Sequence, residues 1–311
     1  VFDLVGPDCV HILGPAILGH RALTFAKESG IAVIGTNHLM PANLQQIPNL
    51  KVFPRWTNQR IWMYLARFYS RCDFVTAPTN TALKYLVDAG LSAPCSVISN
   101  GVKVDRPAVL SQVASNIVER YGLNRTPGTL RLLYVGRVNR EKAVDILIRG
   151  FQRIHSEIRS ELVIAGIGND TTRLRRLIRT LGLDESVRMI GYVSDSDKQS
   201  LMKAANLFVM PSPAELQSIA TLEAMSAGLP ILVADAGALA ELCPDNSTGR
   251  TFVAGDPESL ARSALSLIRS REESGAIGRA NRRFVGQSHA WESTLDRYET
   301  IYEKAIDRKS L

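Results

Sequence analysis

An α/β fold in two domains is what this sequence predicts, and three observations carry the prediction. At 311 residues the chain exceeds what one hydrophobic core usually supports. Short apolar runs alternate with amphipathic stretches along most of it, the pattern of strand–helix units. Residues 106–129, rich in Pro, Gly, Ser and Asn, read as a linker region with one helix around Val113–Tyr121. Composition narrows the class further. With 45% hydrophobic residues and no apolar run long enough to span a bilayer, a soluble protein is expected. Val1-Phe2-Asp3 opens no signal-peptide pattern. The four cysteines, Cys9, Cys72, Cys95 and Cys243, have no metal or redox spacing and favour a reducing compartment. A net charge of +7 points to anionic partners, and nucleotide-sugars, lipid head groups and nucleic acid all satisfy it.

Taken in order, Val10–Leu13 is a strand candidate, followed by a helical pattern over Leu18–Glu28 that closes at Gly30. Ala32–Thr36 is the next strand and delivers Asn37-His38 to its carboxyl end. A lone histidine there is ordinarily a hydrogen-bonded loop residue. A helix is expected from Trp56 to Cys72, with Arg60, Arg67 and Arg71 near one face and Ile61, Leu65 and Phe68 toward another. Trp56, Trp62, Tyr64 and Tyr69 add aromatics to it. Two readings stay open: a basic amphipathic helix can lie on an anionic membrane, whereas a solvated arginine face over a packed stripe is the ordinary case. Phe74–Ala77 is a strand, Pro78-Thr79-Asn80 starts a helix that ends at Ala89-Gly90, and Cys95–Ile98 leads into Ser99-Asn100-Gly101-Val102.

The second half opens with a strand, Arg131–Val135, followed by Gly136-Arg137-Val138-Asn139-Arg140-Glu141-Lys142 and a helix whose apolar face is Val144, Leu147, Ile148 and Phe151. Leu162–Ala165 ends in Gly166-Ile167-Gly168, which lacks the third glycine of a dinucleotide fingerprint and reads as a tight turn. Val187–Ile190 leads into Gly191-Tyr192-Val193-Ser194. Asp195-Ser196-Asp197 superficially matches an Asp-x-Asp metal motif, but Ser194 as N-cap and Asp197 at the capping-box position make it a helix start. Leu207–Met210 is a buried strand broken by Pro211-Ser212-Pro213; Ser218–Ala227 then carries Ile219, Leu222 and Met225 on one helical stripe. Gly228-Leu229-Pro230 stops that helix and Ile231–Ala234 resumes a strand. In an open parallel sheet, ligands bind at the carboxyl ends of strands, and a following helix offers free N–H groups to an anion.

Two acids frame this corner, Glu215 in the loop and Glu223 in the helix. A paired-carboxylate hydrolase is the obvious rival reading. A helical run between them would set the positions ~12 Å apart along the axis, beyond the ~5–9.5 Å that glycosidases use. The pair reads as a clamp on one ligand. Beyond it, Asp235 through Leu242 forms a loop and short helix, Thr251–Ala254 is the last strand, and Asp256-Pro257-Glu258 starts a helix with proline at its first position. The closing helix runs from Ala290-Trp291 to Ile306.

The stretch from Pro211 to Pro230, with seven residues between its two glutamates, resembles the donor-site motif of the retaining GT-B glycosyltransferases of family GT4. Gly136-Arg137 with Lys142 is similar to the Gly-Arg-(x)4-Lys signature of that family, and Thr36-Asn37-His38 to the Thr-x-His segment of its acceptor domains. Asn100-Gly101-Val102 resembles the interdomain Asn-Gly-Val-Asp turn, with Lys103 where the acid is usual, and the Trp291 helix resembles the tail that crosses back to the first domain. The resemblance implies two doubly wound Rossmann-like domains facing across a cleft. Residues 1–107 plus 290–311 would form the acceptor side, and residues 108–289 the donor nucleotide-sugar side. Family acceptor domains open with a strand and a glycine-rich loop, so the first domain is expected to be truncated at its start.

The implied reaction is transfer of a sugar from an NDP-sugar to an acceptor hydroxyl with retention. Donor contacts would come from Gly136, Arg137, Lys142, Val193, Gln217, Ser218, Ile219 and Glu223, and His38 and Glu215 would act at the reacting sugar. Arg137 and Lys142 would grip the diphosphate, so that no metal or other cofactor is expected. Glu215-Leu216-Gln217-Ser218 is closer to the Glu-Thr-Gln-Gly form of glycolipid-synthesising members, which points to a lipid acceptor, with a glycan as the other choice. The expected location is cytoplasmic, with peripheral attachment to the inner face of an anionic membrane left open and no nucleic-acid partner. A nucleotide-sugar-binding fragment without turnover is the alternative. A GT-B epimerase or phosphorylase is disfavoured, because no phosphorylase-type cofactor lysine context is found.

Overall fold

The computed structural model describes residues 5–41, 55–104, 113–123, 126–268 and 271–310. The chain packs as two compact units, Val1–Gly101 with Trp291–Leu311, and Val102–Ala290.

In the first unit, β1 (Cys9–Ile12), α1 (Ile17–Glu28), β2 (Ala32–Thr36), α2 (Arg55–Tyr69), β3 (Phe74–Ala77), α3 (Asn80–Asp88) and β4 (Cys95–Val97) follow one another. The four strands pair in parallel in sequence order. Every β2 residue is buried, as expected for a strand covered on both faces. One face packs Leu23 of α1, Leu65, Phe68 and Tyr69 of α2, and Leu86 of α3 around Val33 and Val75. The start of α3 is fixed by Thr79, whose Oγ1 accepts a hydrogen bond from the Ala82 N–H at 3.1 Å. In α2 the apolar stripe is core, while Arg60 and Arg67, and Arg71 just past the end of the helix, are exposed; the side chain of Trp56 lies outside the described residues. No helix among the described residues is long and apolar enough to cross a membrane.

The second unit contains α4 (Val113–Arg120), β5 (Leu130–Val135), a 3-10 turn (Arg140–Lys142), α5 (Val144–Glu157), β6 (Ser160–Ala165), α6 (Thr171–Thr180) and β7 (Val187–Gly191). It continues with α7 (Asp195–Ala204), β8 (Leu207–Met210), α8 (Ile219–Ser226), β9 (Ile231–Ala234), a 3-10 turn (Gly237–Leu242), β10 (Gly249–Phe252), α9 (Pro257–Ile268) and α10 (Arg271–Ser288). Its six strands are all parallel, in the order β10-β9-β8-β5-β6-β7. The chain therefore winds outward from β5 in one direction through β6 and β7, and in the other through β8, β9 and β10. That reversal lies between β5 and β8, and a doubly wound sheet opens a crevice there at its carboxyl edge. Phe151, Leu132, Leu133, Val163, Ile164 and Phe208 are fully buried in its core.

Several elements differ from the sequence reading: β1 is Cys9–Ile12 and not Val10–Leu13, α2 ends at Tyr69 and not Cys72, and α6 was not foreseen. The last strand is Gly249–Phe252, not Thr251–Ala254. Gly249 pairs with Ile231, and the Val253 N–H is taken by the Ser259 hydroxyl at 3.0 Å, which ends the ladder. Helix α10 has no counterpart in the sequence reading, because its glycines and arginines obscure any apolar stripe. After it, α11 (Trp291–Ser310) returns to the first unit and lays Ile301 and Ala305 over Ala32, Ile34 and Ile98, the second face of that sheet.

Candidate functional site

At the reversal, the loop after β5 and the loop after β8 meet through one ion pair. Lys142, at the end of the 3-10 turn, places its Nζ 2.5 Å from Glu215 Oε1, and the two side chains are only 9% and 11% exposed. Both loops are held from behind. The Tyr134 hydroxyl donates to the Arg137 carbonyl at 2.7 Å. Ala143 follows Lys142 at φ 50°, turning the chain into α5. The Glu215 carbonyl accepts from the Ala238 N–H at 3.4 Å, so the turn after β9 braces the same loop. Arg137 is 59% exposed and 3.7 Å from Glu141, leaving its guanidinium at the surface of the crevice.

The carboxyl ends of β5, β6 and β7 are knitted by backbone hydrogen bonds from Gly136 to Ala165, from Val138 to Ile167 and from Gly166 to Gly191, at 3.0, 2.9 and 2.7 Å. Gly166 is obligatory in this arrangement, since a Cβ on it would lie 1.8 Å from the Gly136 carbonyl oxygen. The Gly166-Ile167-Gly168 motif is thus a close approach of two loops, which keeps Gly136 and Arg137 in place. Val193 beyond β7 and Ile219 at the start of α8 are half-buried against the core, and Gln217 is half-buried beside them.

Ser218 caps α8. Its Oγ accepts from the Thr221 N–H at 3.3 Å and from the Thr221 hydroxyl at 2.7 Å, and the N–H groups of Ile219 and Ala220 precede any intrahelical acceptor. One turn on, Glu223 is bound by Lys198 of α7, with Nζ 2.6 Å from Oε1. Glu215 and Glu223 therefore have separate lysines. Lys198 also reaches Asp195 at 3.1 Å. Burial pulls the Lys198 pKa down, but the hydrogen bonds and charges of Glu223 and Asp195 together outweigh it and the net shift is upward. Sequence reasoning missed Lys198, since a single lysine in a helix start carries no periodic signal.

The Asp-x-Asp stretch is a helix cap, as Ser194 Oγ accepts from the Asp197 N–H at 3.1 Å. Asp197 binds the Tyr121 hydroxyl at 2.9 Å and the Arg120 guanidinium at 2.8 Å, contacts that lower its pKa. Among the described residues no group of three His, Cys, Asp or Glu is arranged to hold a metal ion.

His38 stands in the first unit, two residues after β2; the residue is exposed, and partial burial of its side chain lowers its pKa from the usual value. The preceding Asn37 is fully buried; its Oδ1 accepts from the Leu39 N–H at 3.1 Å while its Nδ2 has no hydrogen-bond partner. A second histidine, His11 on β1, was not foreseen. Its Nε2 lies 2.6 Å from the Thr36 hydroxyl and its Nδ1 2.8 Å from the Tyr302 hydroxyl of α11. Burial, with the nearby His38 as a smaller cause, lowers its pKa from the ordinary 6.5 to about 4.

Residues 119–284 match the family model described as glycosyl transferases group 1, and residues 1–106 match that of glycosyltransferase family 4. Among curated proteins, sulfoquinovosyl transferase SQD2 of Arabidopsis thaliana is 24% identical over 280 residues, which cover 89% of this chain and 52% of that protein. D-inositol 3-phosphate glycosyltransferase 2 of Catenulispora acidiphila is 28% identical over 223 residues, covering 68% of this chain and 51% of that protein. The chain spans about half the length of these curated relatives. A crystal structure of Anabaena HepE in complex with UDP and glucose superimposes with a TM-score of 0.79 at 19% identity, covering 96% of this chain and 78% of that one.

Proposed function

Since this chain belongs to the group 1 glycosyl transferases, with a family 4 glycosyltransferase domain in its first part, we propose that it moves a sugar from an NDP-activated donor to an acceptor hydroxyl with retention at the anomeric carbon. The Lys142–Glu215 pair at the sheet reversal carries the reading. It puts a cation and a hydroxyl acceptor side by side where a doubly wound sheet binds nucleotides. The likeness in fold to HepE, whose structure holds UDP and glucose, supports a nucleotide-sugar as donor.

In this scheme Arg137 and Lys142 neutralise the leaving diphosphate. The N–H groups of the first turn of α8, at Ser218 and Ile219, supplement them in place of a metal ion. Glu215 accepts hydrogen bonds from sugar hydroxyls. Its prior bond to Lys142 means that neither charge has to be oriented afresh when donor arrives. Glu223 accepts from the ribose hydroxyls, steadied by Lys198. Backbone at Gly136 and Val193 and the side chain of Gln217 complete the donor contacts, and His38 orients the sugar or the acceptor. The acceptor we assign is a lipid or glycan hydroxyl. Glu215-Leu216-Gln217-Ser218 favours the lipid, reached at the inner face of an anionic membrane through the exposed arginines of α2.

Calorimetric titration with UDP and GDP in the presence of EDTA tests the scheme. One of the two nucleotides should bind without metal, and Arg137→Ala, a change at an exposed side chain that leaves the fold alone, should weaken it at least tenfold. Equal affinities for wild type and variant would sink the diphosphate assignment; binding with no transfer to lipid or glycan acceptors would return the reading to a nucleotide-sugar-binding fragment.

A further inference from the structure

On the second unit, away from the β5–β8 reversal, α6 and the edge strand β7 line an open pocket of about 360 Å³. Three arginines line it: Arg175 and Arg179, one helical turn apart on α6, and Arg188 on β7. Arg175 and Arg179 are exposed at the rim. Arg188 is half-buried, and its Nε is shielded from solvent with no hydrogen-bond partner. A buried, unsatisfied guanidinium nitrogen is costly and rare, and it needs a reason. Asp184 is the carboxylate lining this cavity, and the hydroxyl of Tyr121 in its wall is turned to Asp197. Arg188 also borders a second cavity of about 480 Å³, where Glu185 and Glu161 stand, the latter bound by Arg131 at 2.9 Å.

We propose that this cavity binds a phosphomonoester, with the Arg188 guanidinium as its floor and Arg175 and Arg179 closing over it. Three guanidinium groups against one carboxylate leave two positive charges, which match the roughly −1.5 to −2 charge of a phosphomonoester at neutral pH. A carboxylate or a phosphodiester brings one negative charge and would leave the site unbalanced. The planar fork of arginine suits phosphate oxygens, and the volume accommodates a small phosphorylated polyol or the phosphate end of a lipid. None of its lining residues is among the donor contacts assigned above.

Titration calorimetry with sn-glycerol 3-phosphate, dimethyl phosphate and inorganic phosphate, each in saturating UDP, tests the assignment. Glycerol 3-phosphate and inorganic phosphate should bind saturably and dimethyl phosphate should not. Affinity should fall as pH drops below the second phosphate pKa of about 6. Arg188→Gln should weaken binding at least tenfold. The rim variant Arg175→Gln with Arg179→Gln, which changes only exposed side chains, should do the same with an unchanged melting temperature. No binding to glycerol 3-phosphate, competition by UDP, equal affinity for the diester, or rim variants indistinguishable from wild type would each overturn it. Flotation with phosphatidylcholine vesicles, with and without phosphatidic acid, separates the sources. Arginine-dependent capture by phosphatidic acid vesicles assigns the phosphate to a lipid, and its absence beside glycerol 3-phosphate binding assigns it to a soluble ester.

Discussion

Glu223 reaches the proposed ribose site with its carboxylate already engaged by Lys198, a residue 25 positions away. Removing the carboxylate leaves ribose hydroxyls unpaired in a partly dry crevice, so Glu223→Ala should cost about 1–3 kcal/mol, roughly fivefold to 150-fold in nucleotide affinity. Lys198→Met removes only the brace and should cost less than Glu223→Ala, about twofold to threefold. Calorimetry on both variants checks the order; a lysine variant worse than the glutamate variant would mean that Lys198 itself meets the phosphates. His11 makes a different prediction. Its folded pKa of about 4 lies below the ordinary 6.5, so the unfolded chain takes up the proton first. The stability it contributes is complete above pH 6.5 and is lost as pH falls toward 4. The melting temperature should decline over that window, and His11→Gln should flatten the decline. Arg137, Lys142, Glu215 and Glu223 were singled out because each lies in a segment that resembles a family motif, and the structure brings Lys142 to Glu215. Lys198 and His11 were not, because what gives each its role is a partner delivered by another element, Glu223 in one case and Tyr302 in the other.

At the level of elements, α10 shows why an eighteen-residue helix can be invisible to pattern reading. It is there to finish α8. Asn281, fully buried, donates its Nδ2 to the Leu229 carbonyl at 2.6 Å, and Arg282 donates to the Ala227 carbonyl at 2.7 Å. These carbonyls lie at and just past the carboxyl end of α8, where helical partners run out. Close approach is allowed by Gly278, where a Cβ would fall 2.3 Å from the Gly228 oxygen. Polar and small residues thus share the packing with Ile277, Phe284 and Val285, and the apolar positions are too few and too widely spaced among arginines and glycines to mark the helix in sequence. Gly278→Ala should therefore destabilise the second unit by about 1–3 kcal/mol through overpacking. Urea denaturation measures it, and a neutral result would mean that α10 shifts without cost. The β-strands were easier, since Leu207–Met210 and Ile231–Ala234 are buried throughout and read as continuous apolar runs.

For the whole molecule, the division into units makes the second a complete body with its own core. A fragment of residues 102–290 should unfold cooperatively and give the same result as the whole chain in the UDP and GDP titrations. Residues 1–101 alone should not behave so, because Ile34 and Ile98 would lose the cover of Ile301 and Ala305. Separate expression with calorimetry of each piece decides it, and a well-behaved first piece would show that α11 is dispensable.

The return of α11 also fixes an order of events during protein synthesis. The His11–Tyr302 hydrogen bond joins residues 291 positions apart. At about 5–20 residues per second, the ribosome needs roughly 15–60 s to deliver the tyrosine after the histidine. The second unit, with both of its boundaries inside that interval, is translated in full before the first unit's sheet receives its second layer. Nascent chains held short of Trp291 should accordingly present a folded second unit beside a bare sheet face, a surface suited to a chaperone until α11 arrives.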